Sequence, residues 1–261
     1  MPNTFRLNVL PVIDADGPTQ MGIDLALLDH AESEPDTIWL RAYTWSAPTL
    51  SLGYFQAWKE LPEMLRQAWA EVAVVRRPTG GGAIWHDADL TYAVVVPAAH
   101  PWAAHSRTLY QAIHDALAAL FTEDGAAVAR RCQVSTVAIG SSPRPASPFL
   151  CFEDGDADDL LLAGKKIVGG AQRRRPWATL QHGSIHWQRS RYPKAEHLPG
   201  LIDLAPGFAE PSRVKWGMTL GQRLSDRWML PVENSDLPAL ALLAAHGWTN
   251  RLRQAQWLMK R

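Results

Sequence analysis

Cysteine is scarce in this chain of 261 residues: only Cys132 and Cys151 occur, and they form no C-x-x-C pair. That excludes a disulfide framework or a cysteine-built zinc site and fits a reducing compartment. Long apolar runs are missing as well, and the opening residues, MPNTFRLNVLPVID, contain no basic stretch leading into an apolar one. Neither a membrane span nor a secretory leader is expected, so the sequence reads as soluble and cytoplasmic. Charge of neither sign is in excess, since 26 Lys and Arg face 26 Asp and Glu. The overall balance therefore does not point to nucleic acid or an anionic membrane, and any charged docking must be local. No long unit repeats, which excludes a solenoid or propeller. The phosphate-binding signatures G-x-x-x-x-G-K-[ST] and G-x-G-x-x-G are absent, and Ser184 does not sit in a G-x-S-x-G elbow.

What the sequence does contain is one domain's worth of apolar residues, 47% of the total, and enough alternation to predict elements. Residues 5–14 predict a strand, and QMGIDLALLDHAE puts Met21, Leu25 and Leu28 on one helical face, with Pro35 beyond it. TIWLRAYTW and TLSLGYF predict paired strands separated by Ser46, Ala47 and Pro48. A helix over 59–70, strands at VAVVRR and LTYAVVVP, and a helix over RTLYQAIHDALAALFTEDG that stops at Gly125 follow. Prolines at 141–148 predict a loop. DLLLAGKKIVGGAQRR and WATLQHGSIHW predict strands broken by glycines, and the C-terminal segment of about 212–261 predicts amphipathic helix. The mixture, without strict βαβ alternation, predicts a single α/β domain of the α+β kind, and the twelve tryptophans serve its packing.

Three stretches carry chemistry. In RRPTGGGAIWHD, Gly80, Gly81 and Gly82 either let backbone approach a ligand or form a hairpin turn with a bulge. Arg76, Arg77 and His86 beside them favour the ligand, because a plain hairpin needs no such groups. In GKKIVGGAQRRR, alternation sends Lys165 and Lys166 to opposite faces, so one of them can enter a cleft, while Gly169, Gly170 and Ala171 leave room for a slender apolar ligand. Arg173 to Arg175 form the most obvious basic patch, either a docking surface or a solvated strand edge. Cys151 lies in an apolar setting where packing is the ordinary role; Cys132 follows two arginines that would lower its pKa. The acidic residues 153–159 fail as a calcium loop, having Asp159 where Gly and Lys165 where Glu is required.

Together and in this order, RRPTGGGAIWHD, GKKIVGGAQRR and LQHGSI resemble the catalytic domain shared by lipoate-protein ligases, octanoyltransferases and, more remotely, biotin-protein ligases. The resemblance covers about residues 5–190 and includes PTLSLGYFQ at 48–56. It implies a mixed β-sheet flanked by helices, of the class II aminoacyl-tRNA synthetase and biotin synthetase-like kind, with a tunnel for a medium-chain acyl group. By that resemblance Arg77, Thr79, Gly80, Gly81, Gly82, His86 and Gly169 line the acyl site, Lys166 stands at the acyl carbonyl, and His182 and Gly183 lie beside it. His86 and His182 are also possible proton carriers.

Cys151 selects a branch within that resemblance. Some octanoyltransferases carry the cysteine of a CF pair at this separation from the lysine, and Cys151-Phe152 matches, as does DLTY at 89–92. The resemblance then implies an octanoyl-[acyl-carrier-protein]:protein N-octanoyltransferase with a cysteine thioester and no cofactor. Its donor is octanoyl-acyl carrier protein and its acceptor a lipoyl domain, that of the glycine-cleavage H protein or of a 2-oxoacid dehydrogenase E2. The alternative is a lipoate-protein ligase that uses ATP and Mg to form an acyl-adenylate. In its favour, Gly82 stands where cysteine-type transferases often have Arg, and the acids after Cys151 would raise the thiol pKa if close. A second alternative is a non-catalytic acyl or lipoyl-domain binder, which would need neither Cys151 nor Lys166. Residues after 190 leave room for helices covering the sheet rather than for an accessory domain.

Overall fold

Pro11 has no N–H to give a strand ladder, and the strand expected over residues 5–14 divides there into β1 (Arg6–Val9) and β2 (Ile13–Ala15). The structure, a computed structural model, describes residues 5–60, 72–134, 150–153, 155–190 and 198–260. The expected helix over 59–70 lies outside the described residues beyond residue 60, and the loop at 141–148 lies wholly outside them. Helix α1 (Gly17–His30) starts where Asp16 accepts from the Thr19 N–H at 3.0 Å. β3 (Thr37–Trp45) and β4 (Thr49–Leu52) follow, then β5 (Ala73–Arg76), β6 (Ile84–His86) and β7 (Leu90–Pro97). Helix α2 (Ser106–Glu123) stops ahead of Gly125, whose φ is +96°. β8 (Ala129–Arg130), β9 (Leu160–Leu162), β10 (Lys165–Arg174) and β11 (Ala178–Ile185) complete the strand-rich part. Last come α3 (Leu201–Leu204), α4 (Arg213–Trp228), β12 (Val232–Asn234), α5 (Ala239–Leu252) and α6 (Ala255–Leu258).

The main sheet runs β12-β1-β3-β7-β11-β10-β9-β8, with β2 also paired to β3. β1 is parallel to β12 and β3, and β2 to β3; the remaining pairings are antiparallel, so the sheet is mixed as expected. Its central strands β3 and β7 are buried throughout, and their side chains divide between two cores. Ile38, Leu40, Tyr92 and Val94 meet α2 and α4 on one face, while Trp39, Tyr43, Ala93 and Val95 meet α1 on the other.

Two further expectations are corrected. β3 and β4 do not pair: the chain passes Pro48 and enters a second sheet, β5-β4-β6. Helix α1 is buried around most of its surface, not on one face, because α5 covers the side away from the sheet. A Cβ at Gly22 would lie 2.4 Å from Thr249 Oγ1, which shows how close the two helices come. The C-terminal segment is not helix alone either, since β12 extends the sheet edge and the chain breaks between α5 and α6. That segment also reaches the front of the molecule. Buried Arg76 donates to the carbonyls of Gly53 (2.8 Å), Gln56 (2.6 Å) and Leu258 (2.9 Å), and Trp257 Nε1 donates to Arg76 O at 3.0 Å.

Candidate active site

The glycines at 80–82 do not close a hairpin between β5 and β6, because those strands lie on opposite sides of β4. Residues 77–83 instead cross the end of β4, and one guanidinium holds the crossing in place. Arg77 donates to Ser51 O at 2.9 Å and to Gly80 O and Gly82 O at 2.7 Å each. Burial pushes its pKa down to about 10, against the opposing pull of Cys151 and Tyr43. Gly81 has φ +92°, and a Cβ at Gly53 would lie 1.9 Å from Gly81 O, so both positions require glycine. Just beyond, Ala83 bridges to Leu150, and the Cys151 N–H donates to Ala83 O at 2.8 Å. The cysteine is thereby fixed against the glycine crossing at the head of a short 3-10 turn.

Lys166 comes to the thiol from the other side. β9 and β10 form a hairpin whose tip, Ala163 and Gly164, has φ +48° and +73°, the two left-handed residues of a type I′ turn. Lys165 is exposed, whereas the Lys166 side chain is 5% exposed, as the alternation predicts. Lys166 Nζ lies 3.5 Å from Cys151 Sγ, 3.0 Å from Cys151 O and 2.9 Å from Asp159 Oδ2. A Cβ at Gly169 would sit 2.6 Å from Lys166 Cε, so that glycine makes room for the lysine itself. Burial opposes the ammonium charge, but Cys151 and Asp159 together outweigh it and hold the Lys166 pKa above its ordinary value.

Two of the acids after Cys151, Asp158 and Asp159, are already paired. Asp159 meets Lys166 and accepts from the Tyr110 hydroxyl at 2.8 Å, and that hydroxyl accepts from Gly170 N at 2.8 Å. Asp158 meets Arg130 at 2.9 Å and Arg107 at 3.0 Å. His114, with its pKa pushed down to about 4 by burial, is neutral; its Nδ1 donates to Asp158 O at 2.7 Å and its Nε2 faces the Tyr92 hydroxyl at 3.1 Å.

Behind Cys151 a narrow, nearly closed slot of about 30 Å³ runs between the glycine crossing and β10–β11, lined also by Met21, Tyr43, Trp45 and Ile84. Arg77, Gly80, Gly81 and His86 line it from one side, and Gly169, His182 and Gly183 from the other. Gly82 and Lys166 face an open vestibule in front of Cys151. Thr79 is buried, its hydroxyl 2.6 Å from His182 Nε2. His182 Nδ1 donates to Asp24 at 2.8 Å; His86 Nδ1 donates to Asp89 at 2.7 Å while its Nε2 accepts from Ser51 at 2.8 Å. Each histidine is thus held between a carboxylate and a hydroxyl. The three arginines at 173–175 are engaged as well: Arg173 lies over the Tyr54 ring, Arg174 donates to Ala103 O and Arg175 approaches Asp29.

Residues 16–195 match the lipoyl protein ligase A/B catalytic domain. The chain belongs to this family. Among its relatives, the octanoyltransferase LipM of Moorella thermoacetica is 38% identical over 174 residues, 66% of this chain and 61% of the relative. That of Halalkalibacterium halodurans is 36% identical over 178 residues, 66% and 62% of the two chains. The matched region thus spans less than two thirds of those relatives' own length. A solved bi-partite lipoate protein ligase of Thermoplasma acidophilum shares the fold, with TM-score 0.73 at 17% identity, covering 98% of this chain and 96% of its own. No helix among the described residues is long and apolar enough to cross a membrane, and no cluster of potential ligands there could hold a metal ion.

Family motifs did not point to the residues that hold this site together. Buried Asp24 on α1 accepts from Arg41 at 2.8 Å and Tyr43 at 3.0 Å besides His182, and Asp89 accepts from Thr91 and Ser184 besides His86. For α2 a signal existed: Arg107, Tyr110, Gln111 and His114 recur at helical spacing and form one polar face toward Asp158 and Asp159.

Proposed function

We propose that this chain is an octanoyl-[acyl-carrier-protein]:protein N-octanoyltransferase that carries the acyl group on Cys151, working as one catalytic unit. The observation that supports it is the 3.5 Å separation of Cys151 Sγ and Lys166 Nζ at the mouth of an apolar slot. In the first step the Cys151 thiolate attacks the thioester carbonyl of octanoyl-acyl carrier protein and the carrier's thiol leaves. Lys166, as an ammonium, stabilises the thiolate and the charge that develops on the carbonyl oxygen. In the second step an acceptor lysine of a lipoyl domain, of the glycine-cleavage H protein or a 2-oxoacid dehydrogenase E2, attacks the enzyme thioester and Cys151 leaves. One thioester replaces another and an amide replaces the second, so neither step needs ATP. A cytoplasmic setting suits a thiol that must stay reduced.

The ligase reading keeps one observation in its favour, the unbroken glycines at 80–82, which open the vestibule in front of Cys151. Intact-mass spectrometry separates the two. With octanoyl-acyl carrier protein and no ATP, the wild type gains a hydroxylamine-sensitive octanoyl adduct that Cys151→Ala lacks. If both modify a lipoyl domain equally well, and only with ATP and free acid, the thioester proposal is wrong.

A further inference from the structure

We infer that Asp159 guards the acyl-enzyme: its carboxylate keeps Lys166 an ammonium, so that the lysine next to the thioester cannot take the acyl group itself. This rests on the Cys151 thioester proposed above. Once octanoyl is on Sγ, its carbonyl carbon is one bond from a sulfur that lies 3.5 Å from Nζ. A neutral amine at that distance is in attack position, and well-oriented intramolecular reactions reach effective molarities of about 10⁵–10⁸ M. The acceptor lysine arrives by diffusion and cannot compete on those terms. The unwanted step balances without a further reagent: the Lys166 N–C bond forms, the C–S bond breaks, and a proton from the amine passes to the departing thiolate. Its product is an amide on Lys166, which thiol exchange cannot reverse.

Protonation is what prevents it, and the surroundings of Nζ are arranged for protonation. Asp159 Oδ2 lies at 2.9 Å, with the two side chains 5% and 2% exposed. The carboxylate is itself held by the Tyr110 hydroxyl from α2 (2.8 Å) and by the Asp156 N–H (2.6 Å). From the cysteine turn, the Cys151 carbonyl and thiol face the ammonium, with the Phe152 ring 5.4 Å away. His114, next along α2, is neutral and adds no competing positive charge. Arg77, on the far side of the slot, spends its fork on backbone carbonyls. In the free enzyme burial lowers the Lys166 pKa while Cys151 and Asp159 raise it; once Sγ carries the acyl group the thiolate's share is gone, and Asp159 is the charge left to oppose burial.

The test uses octanoyl-pantetheine as donor, without acceptor, followed by acid quench, hydroxylamine treatment, intact mass and peptide mapping. Wild type should keep a fully hydroxylamine-sensitive adduct at pH 7–9. In Asp159→Asn the adduct should turn hydroxylamine-resistant, map to Lys166 and form faster as pH rises; Asp159→Asn combined with Lys166→Gln should abolish it. Each unit by which the lysine pKa falls raises the amine fraction about tenfold, so the resistant fraction should rise at least about tenfold over wild type. If Asp159→Asn does not fold, the wild-type acyl-enzyme is chased through rising pH, and resistant adduct should appear on Lys166 only as the ammonium is titrated. An Asp159→Asn adduct that stays sensitive throughout, or a wild-type chase that leaves Lys166 unmodified at high pH, overturns the guard alone. A wild type that forms no sensitive adduct at all overturns the thioester reading and the guard with it.

Discussion

Replacing Gly169 by Ala puts a methyl group in the path of the lysine. The added Cβ would lie 2.6 Å from Lys166 Cε and 2.9 Å from Nζ. Carbon contacts settle at about 3.5–4.0 Å, so the end of the lysine must retreat by about 1 Å. The atoms displaced are the tip of a flexible chain, not backbone, and the fold should lose less than about 1 kcal/mol. Chemistry is less tolerant. Nζ begins 2.9 Å from Asp159 and 3.5 Å from Sγ, and a further 1 Å carries both contacts beyond hydrogen-bond reach. A misplacement of that size costs on the order of 100-fold in rate. The assay is single-turnover acylation of Cys151 by octanoyl-pantetheine, run in a Cys132→Ser background because Cys132 is exposed and would react as well. Acylation should slow about 100-fold. Acylation within threefold of wild type would refute the claim that the position of Lys166 activates the thiol.

Gly183→Ala should behave in the opposite way. Its Cβ would meet Gly169 O and the Tyr92 ring at 2.6 Å each, so urea unfolding should show a loss of about 1–3 kcal/mol. Asp24→Asn leaves the fully buried Arg41 without its counter-charge and should cost about 3–5 kcal/mol in the same measurement. His114 has its pKa lowered in the folded state from 6.5 to about 4, so the unfolded chain binds the extra proton first on acidification. Its contribution to stability is complete above pH 6.5 and declines by about 1.4 kcal/mol per pH unit down to about pH 4. His114→Gln should flatten that stretch of a stability-versus-pH series; an unchanged slope would mean that His114 is not the group responsible.

The glycine crossing, Cys151 and Lys166 were legible through the motifs that carry the resemblance, which set their types and order. Glycine is needed where φ is positive or backbones nearly touch, and alternation put Lys165 and Lys166 on opposite faces while the resemblance picked Lys166. The two sheets were not legible. β3 and β4 carry the same β-rich pattern, and only the route past Pro48 shows that they part. Nor was the burial of α1, since the sequence of the helix cannot say that α5 will lie on its outer side. β12 is three residues long and largely exposed, too short for a period to register. Asp24 and Asp89 read as ordinary polar residues on a helix and at a strand start. Their worth appears only when His182 and His86, 158 and 3 residues away in sequence, come within hydrogen-bond distance.

Arg76 gives the molecule an order of assembly. Its guanidinium closes the turn at Gly53–Gln56 and reaches a carbonyl at Leu258, 182 residues further along the chain. At about 5–20 residues per second, that carbonyl emerges from the ribosome roughly 10–40 s after Arg76 does. Until then the turn at Gly53–Gln56 lacks the contact that ties it to the C-terminal segment. Any chain cut short of Leu258 remains in that state, with a charged fork buried and part of its coordination lost.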